Sequence, residues 1–215
     1  MPSISSAKRI KRRTREFSLE QFGWDELRID APIIKSLHAF FQQEYDMIPE
    51  KERVGKGAVY IARHVSKVLI TFLKTDLNKS SDYFIALSKS LFKRGAKLGA
   101  VKLQHLALYV MAEFVSRFPA TFKEVTYLVE EWADDEEWQV RESVGETILS
   151  ALKQERSATL TYLEELAESD NENLRRLVAE SLRPRADVKW LRDPHQNNHV
   201  LEILTRLRKD PSIYV

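Results

Sequence analysis

The sequence predicts an all-α protein, and three observations carry that prediction. Apolar residues recur at helical spacing in successive blocks from Ile33 to Leu207. Only six glycines and seven prolines punctuate 215 residues, too few for the turns an all-β chain of this length requires. No alternating apolar–polar run is long enough to demand a strand.

The blocks follow in order. Asp30-Ala31-Pro32 marks a helix start, with an acceptor side chain followed by proline in the first turn. Ile33, Ile34, Leu37, Phe40, Phe41 and Tyr45 form its apolar stripe. A polar break from Pro49 to Gly57 precedes a second stripe through Ile61, Val65, Leu69 and Phe72. Ser80-Ser81-Asp82 is expected to cap a third helix carrying Phe84, Leu87, Leu91 and Phe92, and Gly95 and Gly99 flank the next break. Residues 100–118 read as one long buried helix ended by Pro119. Beyond it, the groups Val125–Trp132, Trp138–Leu152, Leu160–Leu166, Leu174–Leu182 and Val200–Leu207 each have helical spacing.

Composition bounds the chemistry. Hydrophobic residues at 43% and charged residues at 31% describe a globular chain with a core. Without cysteine there is no disulfide framework, thiolate nucleophile or cysteine-bound metal cluster. The same absence suits a reducing compartment, and no apolar signal core follows the basic N-terminus, so the expected location is cytoplasmic. No stretch approaches the roughly 20 apolar residues of a membrane span. The net charge is only +2, so its distribution matters more than its sum. Residues 1–15 hold six Lys and Arg and no acid. They read as a basic arm lying along phosphates or as a solvated tail. With Phe17, Phe22, Trp24 and Leu27 after them, residues 1–29 are assigned as arm and docking segment, and 30–215 as the main domain.

The turns before two helices repeat. Asp134 to Arg141 and Ser169 to Arg175 share a layout, and Asp210 to Val215 begins it again. Aligning Val140, Leu174 and Val215 spaces the units by 34 and 41 residues, the range of HEAT and armadillo helix pairs. A single pair cannot bury its apolar face, so pairs stack. The expected architecture is a right-handed α-α superhelix, a solenoid whose last repeat is incomplete at Val215. An acid or serine at each turn is expected to cap the following helix, with Ser169 and Glu172 at capping-box spacing. The arginine after each apolar plug is expected to emerge away from the seam between helices.

The run LRRLVAESLRPR from Leu174, Trp190, Asp193-Pro194 and LEILTRLRKDPSIYV at the end resemble the HEAT-like repeat DNA alkylation repair family, the AlkC/AlkD type of DNA glycosylases. The resemblance covers about residues 130–215. It implies a concave face that holds duplex DNA, tryptophans near the lesion, and an acid that helps break the N-glycosidic bond of an alkylated purine. Trp138 and Glu142 have the four-residue spacing of that family's tryptophan and catalytic aspartate, with glutamate standing where the family has aspartate. They are the candidate catalytic residues.

Candidate nucleic-acid contacts are Arg141, Arg175, Arg176, Arg183, Arg185, Lys189 and Trp190. The arginines suit phosphates, or else pair with acids of a neighbouring repeat such as Glu142 or Glu180 and lock the stack. Arg183 and Arg185 around Pro184 lean toward closing helix ends through carbonyls. Trp138 and Trp132 are expected in the core, and Trp190 in a polar loop free to meet a base. His195 and His199 have a metal-chelating spacing but no third ligand, so no metal or other cofactor is expected. The expected partner is duplex DNA. The alternative is a non-catalytic module that binds a protein or a structured nucleic acid.

Overall fold

The computed structural model describes residues 5–184 and 188–215, and these are all-helical with no strand. In chain order the helices are α1 (Ser6–Glu20), α2 (Pro32–Asp46), α3 (Arg53–Lys56), α4 (Ala58–Thr75), α5 (Ser81–Leu98), α6 (Val101–Arg117), α7 (Phe122–Ala133), α8 (Trp138–Gln154), α9 (Arg156–Ala167), α10 (Glu172–Ser181) and α11 (Asn198–Leu207). Short 3₁₀ turns precede α3, α7 and α11. No described helix is long and apolar enough to cross a membrane. The chain forms two compact units, residues 1–114 and 115–215.

The first unit corrects the reading of the N-terminus. From Ser6 onward the expected arm or tail is α1, capped by the Ser5 hydroxyl and packed along α4. Its basic residues disguise a narrow inner stripe: Ile10, Thr14 and Ser18, one turn apart, are fully buried. Thr14 and Ser18 satisfy their hydroxyls on the carbonyls four residues back (2.7 Å each). Phe17 stacks on Phe40 with ring centroids 4.5 Å apart, and Trp24 packs on Phe72 at 5.7 Å. Phe22, also expected to dock, stays exposed.

A buried ion pair ties α1 to α2. The Glu44 carboxylate is fully buried and accepts a hydrogen bond from Arg13 Nε, with Arg9 Nε 3.9 Å from its other oxygen. On the exposed side, Arg15 grips Asp76 through two bonds of 2.9 and 2.6 Å. These contacts and the Thr75 hydroxyl hold the Asp76 carboxyl down at about 2.

Two helix boundaries differ from expectation for local reasons. Ala31, not Asp30, is the N-cap of α2, and Asp30 turns instead toward Arg94 (3.4 Å) and Lys97 (3.6 Å) of α5. Gly95 does not break α5 but lies inside it. A Cβ there would come within 2.7 Å of Gln104 Cγ and 3.1 Å of the Ala100 carbonyl, so the glycine admits the start of α6. The helix ends at Gly99, whose φ of 62° is left-handed.

His38 and His64 predict a pH response of this unit. Burial lowers both imidazole pKa values, helped by Arg94 at His38 and by Lys11, Lys67 and Arg63 at His64. The unfolded chain therefore takes up protons first, near the ordinary value of about 6.5. Their contribution is complete above that pH and is lost as pH falls through the lower folded values. The denaturation midpoint is expected to be lower at pH 5.5 than at 7.5. The double variant His38→Gln/His64→Gln should flatten that difference. Asp76 contributes in a separate, more acid window, between its ordinary value and about 2.

In the second unit α8 packs against α7, α9 and α10, and α9 against α10 and α11. Val140, Val144, Ile148 and Leu152 of α8 are fully buried, as are Leu163 of α9 and Val178 of α10. Tyr162 links α9 to α7. Its ring meets Phe122 edge-on at 5.5 Å, and its hydroxyl donates to Glu130 Oε1 at 3.2 Å.

Candidate functional site

The repeated turns are equivalent in their hydrogen bonds. The side chains of Asp135, Ser169 and Asp210 each accept from the backbone N–H two residues on, at 2.9, 3.1 and 2.9 Å. Those three positions are separated by the same 34 and 41 residues as the sequence alignment. The capping details differ from the expected box. Asn171 is the N-cap of α10 and accepts from Asn173 N at 2.8 Å, and Glu172 accepts from the Ser212 hydroxyl at 2.5 Å.

Arg141 and Arg175 also match. Arg141 Nη1 donates to the carbonyls six and five residues back, Asp135 O (2.6 Å) and Glu136 O (2.9 Å). Arg175 Nη1 does the same at Ser169 O (2.8 Å) and Asp170 O (3.1 Å). Each guanidinium folds back over its own turn and collects carbonyls that the helix leaves unsatisfied. Both guanidiniums are therefore engaged within the chain. The Nε side of each reaches the last turn of the chain. Arg175 forms a bidentate pair with Asp210 (2.6 and 3.0 Å), which raises its own pKa and lowers that of the aspartate. Arg141 Nε donates to the Tyr214 hydroxyl at 3.0 Å.

The next position of the repeat holds the candidate acid. Glu142 and Arg176, 34 residues apart on α8 and α10, form a salt bridge. The Arg176 guanidinium also lies 4.4 Å from the Tyr214 ring centroid, and Arg141 lies 5.5 Å from the same ring. Glu142, Arg141, Arg176 and Tyr214 thus form one cluster. Beside it Ala133, Gly145, Asn173, Leu177 and Glu180 close a recess of about 20 Å³. That is room for a single water and a small fraction of a nucleobase.

Trp138 opens α8 and is 59% exposed, which corrects its expected burial. The inward stripe of α8 starts at Val140, so a residue two positions earlier faces the other way. Trp132 is buried as expected. Trp138 and Glu142 lie one turn apart on one helix, both reachable from solvent.

The remaining candidates are dispersed. Arg183 pairs with Glu180 at 2.7 Å rather than with helix-end carbonyls. Arg185 lies outside the described residues. Lys189 is exposed on the 3₁₀ turn before α11. Trp190 is half-buried, with the Arg156 guanidinium 3.9 Å from its ring, so that face is already occupied. His199 meets Glu164 at 3.2 Å, and no group of three potential metal ligands exists among the described residues. Tyr214 was missed in the sequence. Its signal was present: it stands where the repeat alignment places Asn173, and an aromatic there can face the arginines of both preceding units.

Comparison with protein-family models, curated proteins and solved structures finds no significant match to this chain.

Proposed function

We propose that the chain is a DNA-binding HEAT-like repeat protein related to the alkylpurine DNA glycosylases and acting in DNA alkylation repair. The observation that carries this reading is the exposed Trp138 one helical turn from Glu142. The recurring turn at Asp135, Ser169 and Asp210 supports the repeat array, which this reading winds into a right-handed superhelix.

In this reading Trp138 stacks on an exposed base or sugar, and Glu142 faces the sugar beneath the lesion. Alkylation at a purine ring nitrogen gives the base a positive charge, so it departs with the bonding electron pair as a neutral molecule. Positive charge then builds on the sugar, and a fixed carboxylate offsets it. Water adds to the anomeric carbon and loses its proton. Because the recess beside Glu142 is far smaller than a base, the lesion is met at the surface rather than swallowed.

A second reading is a non-catalytic interaction module, favoured by one specific observation. Arg141, Arg175, Arg176 and Arg183 all have partners within the chain, and the Glu142 carboxylate is itself engaged. The test is binding to alkylated and plain duplex as a function of salt, followed by assay of free base. Release of methylated purine supports the repair reading. Salt-steep binding without release leaves the module. Absence of binding to any duplex overturns the repair reading and leaves a module whose partner is a protein or a structured nucleic acid.

A further inference from the structure

The small net charge conceals two opposite halves. Residues 1–114 hold 20 of the 34 Lys and Arg and 12 of the 32 Asp and Glu, a net of +8. Residues 115–215 hold the other 14 and 20, a net of −6. The basic half is not the half that carries Trp138 and Glu142.

Within the basic half α1 carries six of the Lys and Arg and packs along α4, which carries three more. No acid occurs in α4, and none in α1 before Glu16. Lys8, Lys11, Arg12 and Arg15 follow one another at helical-face spacing, so they form one stripe along α1. Buried Glu44 takes up Arg9 and Arg13 on the inner side, and Asp76 takes up Arg15. Arg12 has only an exposed i,i+4 contact with Glu16 at 3.7 Å, which is weak in water. The ammonium groups of Lys8 and Lys11 have no acid partner among the described residues. Arg63 and Lys67 of α4 are exposed and make contacts of their own, yet still add to the local field. Lys11, Lys67 and Arg63 converge on half-buried His64 and depress its pKa beyond the effect of burial.

The chemistry of this face selects its occupant. Stable protein interfaces need buried apolar anchors at their centre. The exposed large hydrophobic residues of these two helices sit at their ends, Leu19 one turn beyond Arg15 and Val59 in the first turn of α4, and not among Lys8, Lys11 and Arg12. A row of long cations with no apolar anchor at its centre suits a repeating anion, and phosphates on a duplex provide one.

We propose that the α1–α4 face binds the phosphate backbone of duplex DNA, as a second contact surface in addition to the Trp138–Glu142 site. It builds on the DNA reading above but does not depend on base release. The experiment uses the full chain and an undamaged duplex. Lys8→Gln/Lys11→Gln/Arg12→Gln replaces three exposed cations with a good helix former, so the denaturation midpoint should hold. Lys8→Gln/Lys11→Gln, which keeps the Arg12–Glu16 contact, serves as the milder version.

The triple variant should flatten the slope of log affinity against log salt by about two to three, at roughly 0.9 for each phosphate no longer neutralised, and weaken binding at least tenfold near 0.1 M salt. Duplex added to the unaltered protein should move the His64 resonances and raise its pKa, since phosphates offset the surrounding cations. Unchanged slope and affinity in the triple variant overturn the proposal, even if methylated base is released and the repair reading stands. Salt-steep binding abolished in the triple variant supports it, even if no base is released. If the unaltered protein self-associates at low salt and the triple variant loses that association while keeping duplex binding, the proposal is overturned and the face is assigned to the acidic half of a second copy.

Discussion

Glu142→Gln is expected to reduce release of methylated purine at least a hundredfold while strengthening binding to duplex. The two effects have different origins. Replacing a preorganised charged group by a neutral isostere removes stabilisation realised only as charge develops, a loss of about 10²–10³ in comparable cases. Binding responds to net charge near the phosphates. The substitution deletes one carboxylate and leaves Arg176 without its counter-charge, so the guanidinium beside the Tyr214 ring is held less tightly and can turn to a phosphate. Affinity should rise severalfold, and the salt slope should steepen by about one. Single-turnover release and equilibrium binding on the same alkylated duplex measure both. Release equal to that of the parent chain removes Glu142 from the chemistry. Weaker binding would show instead that the Glu142–Arg176 bridge shapes the surface that DNA meets.

Glu44→Ala is expected to produce the largest loss of stability, about 3 kcal/mol. The carboxylate is completely buried, and Arg13 and Arg9 converge on it from α1. Removing it leaves two guanidiniums, about a third and a quarter exposed, without the charge that holds them at the α1–α2 contact. Their partial exposure limits the penalty below that of a fully enclosed pair. The loss should fall on the attachment of α1, so amide exchange in residues 6–20 should accelerate before the rest of the first unit. Arg13→Met added to Glu44→Ala should recover part of the stability, because the stranded charge goes with it. A change in unfolding free energy below about 0.5 kcal/mol would mean that α1 is held by Ile10, Phe17 and its other apolar contacts alone.

The helical class and most helix positions were legible in the residues because burial imposes a period on them. Ile33 to Phe41, Ile61 to Leu73 and Val140 to Leu152 each read as a stripe, and each is a buried face. The recurring turn was legible too, because turn chemistry is local. Asp135, Ser169 and Asp210 need only the N–H two residues on, so the same residue types recur wherever the same turn is built.

The N-terminal helix was not legible. Its inner stripe is Ile10, Thr14 and Ser18, and two of those side chains are polar. They can be buried only because each hydroxyl returns to the helix's own backbone. Six cations around so thin a stripe look like a solvated arm until Glu44, 31 residues beyond Arg13, supplies the counter-charge. Trp138 was misjudged for the opposite reason. It was expected in the core, but the register of α8 begins inward at Val140 and leaves the indole outside.

The candidate site divides along the same line. Trp138 and Glu142 could be paired from their four-residue spacing, since one helical turn is a local property. The state of the arginines was undecidable from the residues. A guanidinium on a helix can face phosphates or fold onto carbonyls and acids, and the choice depends on what lies within reach. Only the packing of α8, α10 and the last turn brings Asp210 to Arg175, Tyr214 to Arg141, and Glu142 to Arg176. Local periodicity and turn chemistry therefore specified the helices and the recurring turn. Which charges are spent inside the molecule was decided by long-range contacts, because an ion pair depends on distance in space and not along the chain.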